Sequence, residues 1–282
     1  MSQMIDFTVP STVPGRTLHA FRCVPDGQVR AIVQLSHGMV EFIDRYKPLA
    51  EYLAGRGILV TGHDHLGHGG SIRTKADYGY FAEPDGNRAV LEDLHPAAIK
   101  IGMLGNGDIV RTVSRVLAQY PDVPVVLDPI MLSTSGHPLL DPEGVSAMEQ
   151  LLFPRAALIT PNLPEAQALT GLPLSDLHAV KAAAQLLYRT YGCGVLIKGG
   201  HSAGEPVDVL YDGSLHVFTG KRIPGRDVHG TGCTLSSAIA AGLAQGMALP
   251  EAVQGAKRYL SCAMESAFSV GCGAPVLNHF LS

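Results

Sequence analysis

Gly230-Thr-Gly-Cys-Thr-Leu-Ser236, preceded by Arg226-Asp-Val-His229, is the stretch on which the reading of the fold turns. Two glycines two residues apart let a backbone turn tightly and approach a ligand closely. Directly behind them, Leu235 to Gly246 is a small-residue, apolar segment that reads as a buried helix. The first turn of a helix has amides without partners inside the helix and carries the positive end of its dipole. The stretch therefore predicts an anion site with Cys233 at its mouth. The plain alternative is a glycine turn before a core helix, and the surrounding chain chooses between them.

Upstream, strands and helices alternate. Ala98–Leu104, Val123–Leu127, Ala157–Thr160 and Gly194–Lys198 read as buried strands. Helices are expected over Gly107–Tyr120, with Ile109, Val113, Val116 and Leu117 inward, and over Val145–Leu152 and Ser175–Tyr191, the last capped by Ser175. Val207–Tyr211 and Leu215–Thr219 form a hairpin around Asp212-Gly213. Helices over Thr234–Gly246 and Pro250–Phe268 close the chain, the first nearly all apolar and so buried. This order predicts an α/β fold, three layers α/β/α with a mostly parallel central sheet. In such sheets ligands sit at the carboxyl ends of the strands, where Asp128, Asn162, Glu165, Lys198 and His201 all fall.

The first 95 residues read differently. Ile5–Val9 and Thr17–Arg22 are strands joined by a Pro14-Gly15 turn, and Ala31–Leu35, Arg45–Gly55 and Gly57–Thr61 form a β-α-β unit. The run Gly62-His-Asp-His-Leu-Gly-His-Gly-Gly70 holds His63, Asp64, His65 and His68 in a glycine-rich loop. With no helix to direct metal ligands, hydrogen bonds across a strand-end turn are expected rather than a metal. Residues 71–87 read as a loop, and Ala89–Leu94 as a turn or two of helix.

Composition narrows the function. The chain has 282 residues and a net charge of −4, with no dense Lys/Arg run, so no nucleic-acid surface is expected. Five scattered cysteines build neither a disulfide framework nor a Cys-x-x-Cys metal site. Cys193, Cys262 and Cys272 are expected to be reduced core residues. No window of about 18 apolar residues predicts a membrane span, and no basic stretch leading into an apolar run predicts a signal peptide. A cytoplasmic soluble enzyme is the expectation.

An anion hole, oxygen ligands suited to Mg²⁺ at Glu165 and Asp128, and a lysine at 198 are equipment for phosphoryl transfer. No Walker motif is present. Lys198 would neutralise phosphate charge, and Cys233 would take a proton from an attacking hydroxyl or bind developing charge. A solvent-facing lysine and a capping or packing cysteine are the bland alternatives.

Five segments now carry a family. They are Ala98-Ile-Lys-Ile-Gly-Met-Leu-Gly105, Val126-Leu-Asp-Pro129 with Ser135-Gly136, Leu158-Ile-Thr-Pro-Asn-Leu-Pro-Glu-Ala166, Val195-Leu-Ile-Lys-Gly-Gly-His201 with Asp208, and His229-Gly-Thr-Gly-Cys-Thr-Leu-Ser236. In order and spacing they resemble hydroxymethylpyrimidine and phosphomethylpyrimidine kinases of the ribokinase-like superfamily, over about two-thirds of the chain. The resemblance implies ATP- and Mg²⁺-dependent phosphorylation of a pyrimidine in thiamine biosynthesis. It implies Cys233 and Lys198 as catalytic residues and Gly230, Thr231 and Gly232 as the anion hole. Asp128, Asn162, Glu165, Lys198 and Asp208 would bind the cofactor, Glu165 and Asp128 serving the metal, and self-association is common in related kinases.

The front does not fit that family. Leu35-Ser-His-Gly-Met39, Arg45-Tyr46 and Val60-Thr-Gly-His-Asp-His-Leu-Gly-His-Gly-Gly-Ser71 resemble the N-terminal part of monoacylglycerol lipase or lysophospholipase-like α/β-hydrolases, as far as about His95. The chain is read as lacking the Gly-x-Ser-x-Gly nucleophile elbow that should follow, which places ester hydrolysis last. A hybrid is expected, with residues 1–95 hydrolase-like and 96–282 kinase-like, packed as one continuous domain with Ala31–Leu35 and Gly57–Thr61 extending the kinase sheet. The competing reading is a catalytically silent scaffold or nucleotide-binding remnant.

Overall fold

Apolar residues that alternate along the later strands assign each strand two buried faces. Val125 and Leu127 join one core cluster and Val126 the other; Ile159 and Leu158, Val195 with Ile197 and Leu196, and Val209 and Leu210 divide in the same way. A period of two that is apolar on both faces requires helices above and below the sheet. The computed structural model describes residues 2–29, 31–37, 41–80, 96–131, 138–200, 205–220, 223, 228, 230–269 and 275–279, with the side chains of 31 and 32 left aside. The chain divides into two units, Met1–His95 and Pro96–Ser282.

In the second unit β5 (Ile99–Ile101), β6 (Val125–Leu127), β7 (Leu158–Ile159) and β8 (Gly194–Ile197) run parallel. The hairpin β9 (Val207–Tyr211) and β10 (Leu215–Thr219) adds two antiparallel strands, giving the order β10-β9-β8-β7-β6-β5. On one face, α2 (Gly107–Leu117), α3 (Pro142–Leu151), α4 (Leu163–Thr170) and α5 (Leu177–Tyr191) bury Val110, Met148, Ala166 and Leu187. On the other, α6 (Thr231–Ala244) and α7 (Leu249–Glu265) bury Leu235, Ile239, Val253 and Ala256. The three-layer arrangement is as expected.

Several local expectations are corrected. Ile109 is exposed, because the apolar stripe of α2 runs through Val110 and Leu117. The cap of α5 is Asp176, whose carboxylate accepts the Ala179 amide at 2.8 Å, rather than Ser175. Helix α4 has no counterpart in the sequence reading, although Asn162 and Glu165 form a capping box at its start. Cys193 is buried, and burial pushes its thiol up to about 12. Cys262 is exposed on α7 instead of buried, and Cys272 lies outside the described residues, as does 89–94.

The first unit has its own sheet, β1 (Gln3–Pro10), β2 (Thr17–Val24), β4 (Ile58–His63) and β3 (Ala31–Leu35) in that order. Helix α1 (Lys47–Ala54) links β3 to β4, and Phe21, Ile43, Ala50 and Val60 form the core. The expectation that Ala31–Leu35 and Gly57–Thr61 extend the kinase sheet is corrected. Strand β4 is hydrogen-bonded on both edges within its own unit, to β2 and to β3. The histidine-rich loop is tied together as expected: Asp64 accepts the Ile43 amide at 2.6 Å and the Gly70 amide at 2.7 Å, and His37 Nε2 accepts the His65 amide at 3.0 Å.

Candidate active site

The site lies at the carboxyl ends of β6, β7 and β8 and at the start of α6. Asp128 follows β6 and is 2 % exposed. Its Oδ1 accepts from Lys198 Nζ at 2.6 Å and from Thr160 Oγ1 at 3.1 Å. Lys198 follows β8, and its backbone amide donates to the Pro161 carbonyl at 2.9 Å. That bridge sets Asn162 beside Lys198. Three neighbouring strand ends thus supply an acid, a hydroxyl and a cation within hydrogen-bond reach.

At the end of β7, Asn162 and Glu165 lock each other. The Asn162 side chain accepts the Glu165 amide and the Glu165 carboxylate accepts the Asn162 amide, both at 2.8 Å. Glu165 is 3 % exposed, and burial raises its pKa, partly opposed by the Asn162 amide and the Lys198 charge. Burial disfavours the bare carboxylate charge there, and a cation beside it would offset that cost. Asp128 and Glu165 are hard oxygen donors, the set Mg²⁺ takes, so the residues fit that ion.

Gly230 opens α6 with φ 86°, the left-handed turn that glycine adopts without strain. The first intrahelical bond runs from the Thr234 amide to the Gly230 carbonyl, so the Thr231, Gly232 and Cys233 amides precede the helical ladder. A methyl group on Gly232 would lie 3.4 Å from Asp128 Oδ2 and 3.5 Å from Lys198 Nζ. The first turn of the helix therefore abuts the Asp128–Lys198 pair. Ser236, fully buried, donates to the Gly232 and Cys233 carbonyls at 3.0 and 3.2 Å and steadies that turn. Cys233 is exposed. The helix is not buried all round: Ser237 and Ala241 on its other face are exposed, as small side chains allow.

Asp208 stands apart from this group, within β9. Its Oδ1 accepts the Gly199 amide at 2.8 Å and its Oδ2 receives Lys257 Nζ at 2.5 Å. Lys257 was not singled out from sequence, since a lone lysine in an amphipathic helix carries no local signal. His201, His229 and the Ser135-Gly136 pair lie outside the described residues.

The reading of the chain as lacking a Gly-x-Ser-x-Gly pentapeptide is corrected: Gly200-His-Ser-Ala-Gly204 has that form. An elbow needs a strand, a sharp turn and a helix. Here the segment lies between β8 and the antiparallel strand β9, so the hydrolase context is missing.

A parallel strand-end cluster of acid, lysine and helix amides is the frame of a ribokinase-like small-molecule kinase. Solved structures agree. The ADP complex of Bacillus subtilis pyridoxal kinase is 34% identical with TM-score 0.60, over 65% of this chain and 70% of that one. A phosphomethylpyrimidine kinase from Clostridium difficile is 34% identical with TM-score 0.52, over 62% and 71%. The phosphomethylpyrimidine kinase model matches residues 85–278, and the chain belongs to that family. Among curated relatives, the thiamine biosynthesis bifunctional protein ThiED of Geobacter sulfurreducens is 43% identical over 69% of this chain. The Bacillus subtilis hydroxymethylpyrimidine/phosphomethylpyrimidine kinase is 40% identical over 68%. The match spans 40% of the bifunctional protein and 72% of the Bacillus kinase. A second model, serine aminopeptidase S33, matches residues 27–101, which supports the description of the chain as a hybrid with a hydrolase-like front. No helix among the described residues is long and apolar enough to cross a membrane.

Proposed function

We propose that the chain transfers the γ-phosphoryl group of ATP, with Mg²⁺, to a hydroxymethylpyrimidine or its monophosphate, a step of thiamine biosynthesis. The observation that carries this reading is the contact of the first turn of α6 with the Asp128–Lys198 pair. The amides of Thr231, Gly232 and Cys233 face developing phosphate charge, and Lys198 neutralises the transferring group. Cys233, exposed at the head of the helix, receives the proton of the attacking hydroxyl. Glu165 and Asp128 would hold Mg²⁺, which supplies charge compensation between phosphate oxygens, while Asn162 fixes the orientation of Glu165. The protein works in the cytoplasm and self-associates.

A second reading, a nucleotide-binding remnant without turnover, is favoured by the uncovered part of the relatives: the Bacillus kinase matches over 72% of its length. ATP consumption with hydroxymethylpyrimidine and with its monophosphate separates the two, comparing wild type with Cys233→Ala and Lys198→Ala. Turnover that collapses in both variants supports the kinase. ATP binding without turnover supports the remnant, and neither binding nor turnover in a folded protein sinks both.

A further inference from the structure

Lys257 is a charged group that the proposed chemistry leaves unused, yet it is drawn into the frame of the site. It lies on α7 with its side chain 12% exposed, opposite an Asp208 side chain that is 8% exposed. Lys257 Nζ sits 2.5 Å from Asp208 Oδ2 and also donates to the Phe218 carbonyl at 3.4 Å. One ammonium group therefore holds a carboxylate of β9 and the backbone of β10. The other oxygen of that carboxylate accepts the Gly199 amide at 2.8 Å. Gly199 packs so tightly on the Val207 carbonyl oxygen that no side chain would fit there. The residue before it is Lys198, whose ammonium lies 2.6 Å from Asp128 Oδ1.

We propose that Lys257, acting through Asp208, is a positioning residue for Lys198. A buried carboxylate paired with its counter-ion keeps one orientation; without that ion it turns toward water. With Asp208 held, the Gly199 amide is held, and the backbone leaves β8 in the direction that carries the Lys198 side chain onto Asp128. The inference rests on the phosphotransfer reading of the site, and its consequence is for rate rather than for pyrimidine affinity.

The full chain is compared with its Lys257→Met and Lys257→Arg forms by steady-state ATP consumption, calorimetric ATP titration and amide exchange at Gly199. Lys257→Met is expected to lower kcat about 10- to 100-fold with KM for the pyrimidine changed by less than about twofold, and Lys257→Arg to recover most of the loss. Gly199 exchange is expected to quicken about tenfold or more in the Met form. A folded Lys257→Met protein that keeps both kcat and Gly199 protection overturns the proposal. Should that variant fail to fold, Asp208→Asn, of the same shape but without the charge, is read against the same outcomes. A wild type that neither binds ATP nor turns over defeats the phosphotransfer reading instead. Gly199 exchange in the variants then decides the positioning role: faster exchange supports it and unchanged exchange overturns it.

Discussion

Lys198 and Asp128 face each other across a site that leaves the carboxylate 3% exposed, so neither tolerates the loss of the other. Lys198→Met leaves a buried charge without its partner and is expected to cost about 3 kcal/mol or more. Asp128→Asn combined with Lys198→Met removes both charges and should regain most of that stability, although not the activity. Urea titration of the three proteins checks this; a Lys198→Met form as stable as wild type would show that the pair is open to water. Glu165 behaves in the opposite electrostatic sense, since burial raises its pKa above the ordinary 4.5. The folded state then holds that proton more tightly than the unfolded state. Its contribution to stability is full below 4.5 and is lost as pH rises through the raised value. Glu165→Gln keeps an oxygen for the Asn162 amide and should gain on wild type as pH increases above 4.5, read as the difference in Tm between the two. Parallel Tm curves would contradict it.

The start of α6 separates what a helix wants from what a phosphate wants. Gly232→Ala replaces a poor helix former in the first turn, and the new methyl meets Asp128 and Lys198 only at ordinary contact distance. The substitution should leave stability unchanged or raise it by up to about 1 kcal/mol. It should also reduce ATP turnover by tenfold or more, on the order of 1.4 kcal/mol, because the methyl fills the space beside the amides proposed to bind phosphate. A variant with full turnover would remove this turn from the site. Much at this scale was legible in sequence, since glycine turns and apolar alternation are local patterns, whereas the cap of α5 lies one residue from the position expected. The hairpin of β9 and β10 and the strand β3 have the predicted limits. Helix α4 was missed because its eight residues, opened by Leu163 and Pro164, are too few to display a period.

Across the whole molecule, acid should act first on the unit that carries the histidines. His37, His63, His65 and His68 are all buried, and the rings of His37 and His65 have centroids 4.2 Å apart. Burial, followed by the charges of His37 and His63, depresses His65 to about 4. The unfolded chain takes up that proton from pH 6.5 downward while the folded chain refuses it until about 4. Stability is therefore lost over that window, by about 3 kcal/mol for this group alone. His65→Gln should flatten an acid titration followed by circular dichroism, and an unchanged titration would show that folding does not depress the His65 pKa.

The sequence by itself determined the strand order of residues 96–282 and every helix there except α4, the strand-end placement of Asp128, Asn162, Glu165 and Lys198, the glycine turn that opens α6 at Gly230, and the change of character near His95. These follow from spacing within a few residues, which sets turns, caps and buried faces without regard to distant chain. Tertiary structure alone decided that the front strands form their own sheet, because β4 is already paired on both edges. It also decided which partners the charges take. Lys198 meets Asp128 across 70 residues of chain, and Lys257 meets Asp208 across 49. Packing of strands and helices brings such pairs together, and no local pattern specifies which acid a given lysine will find.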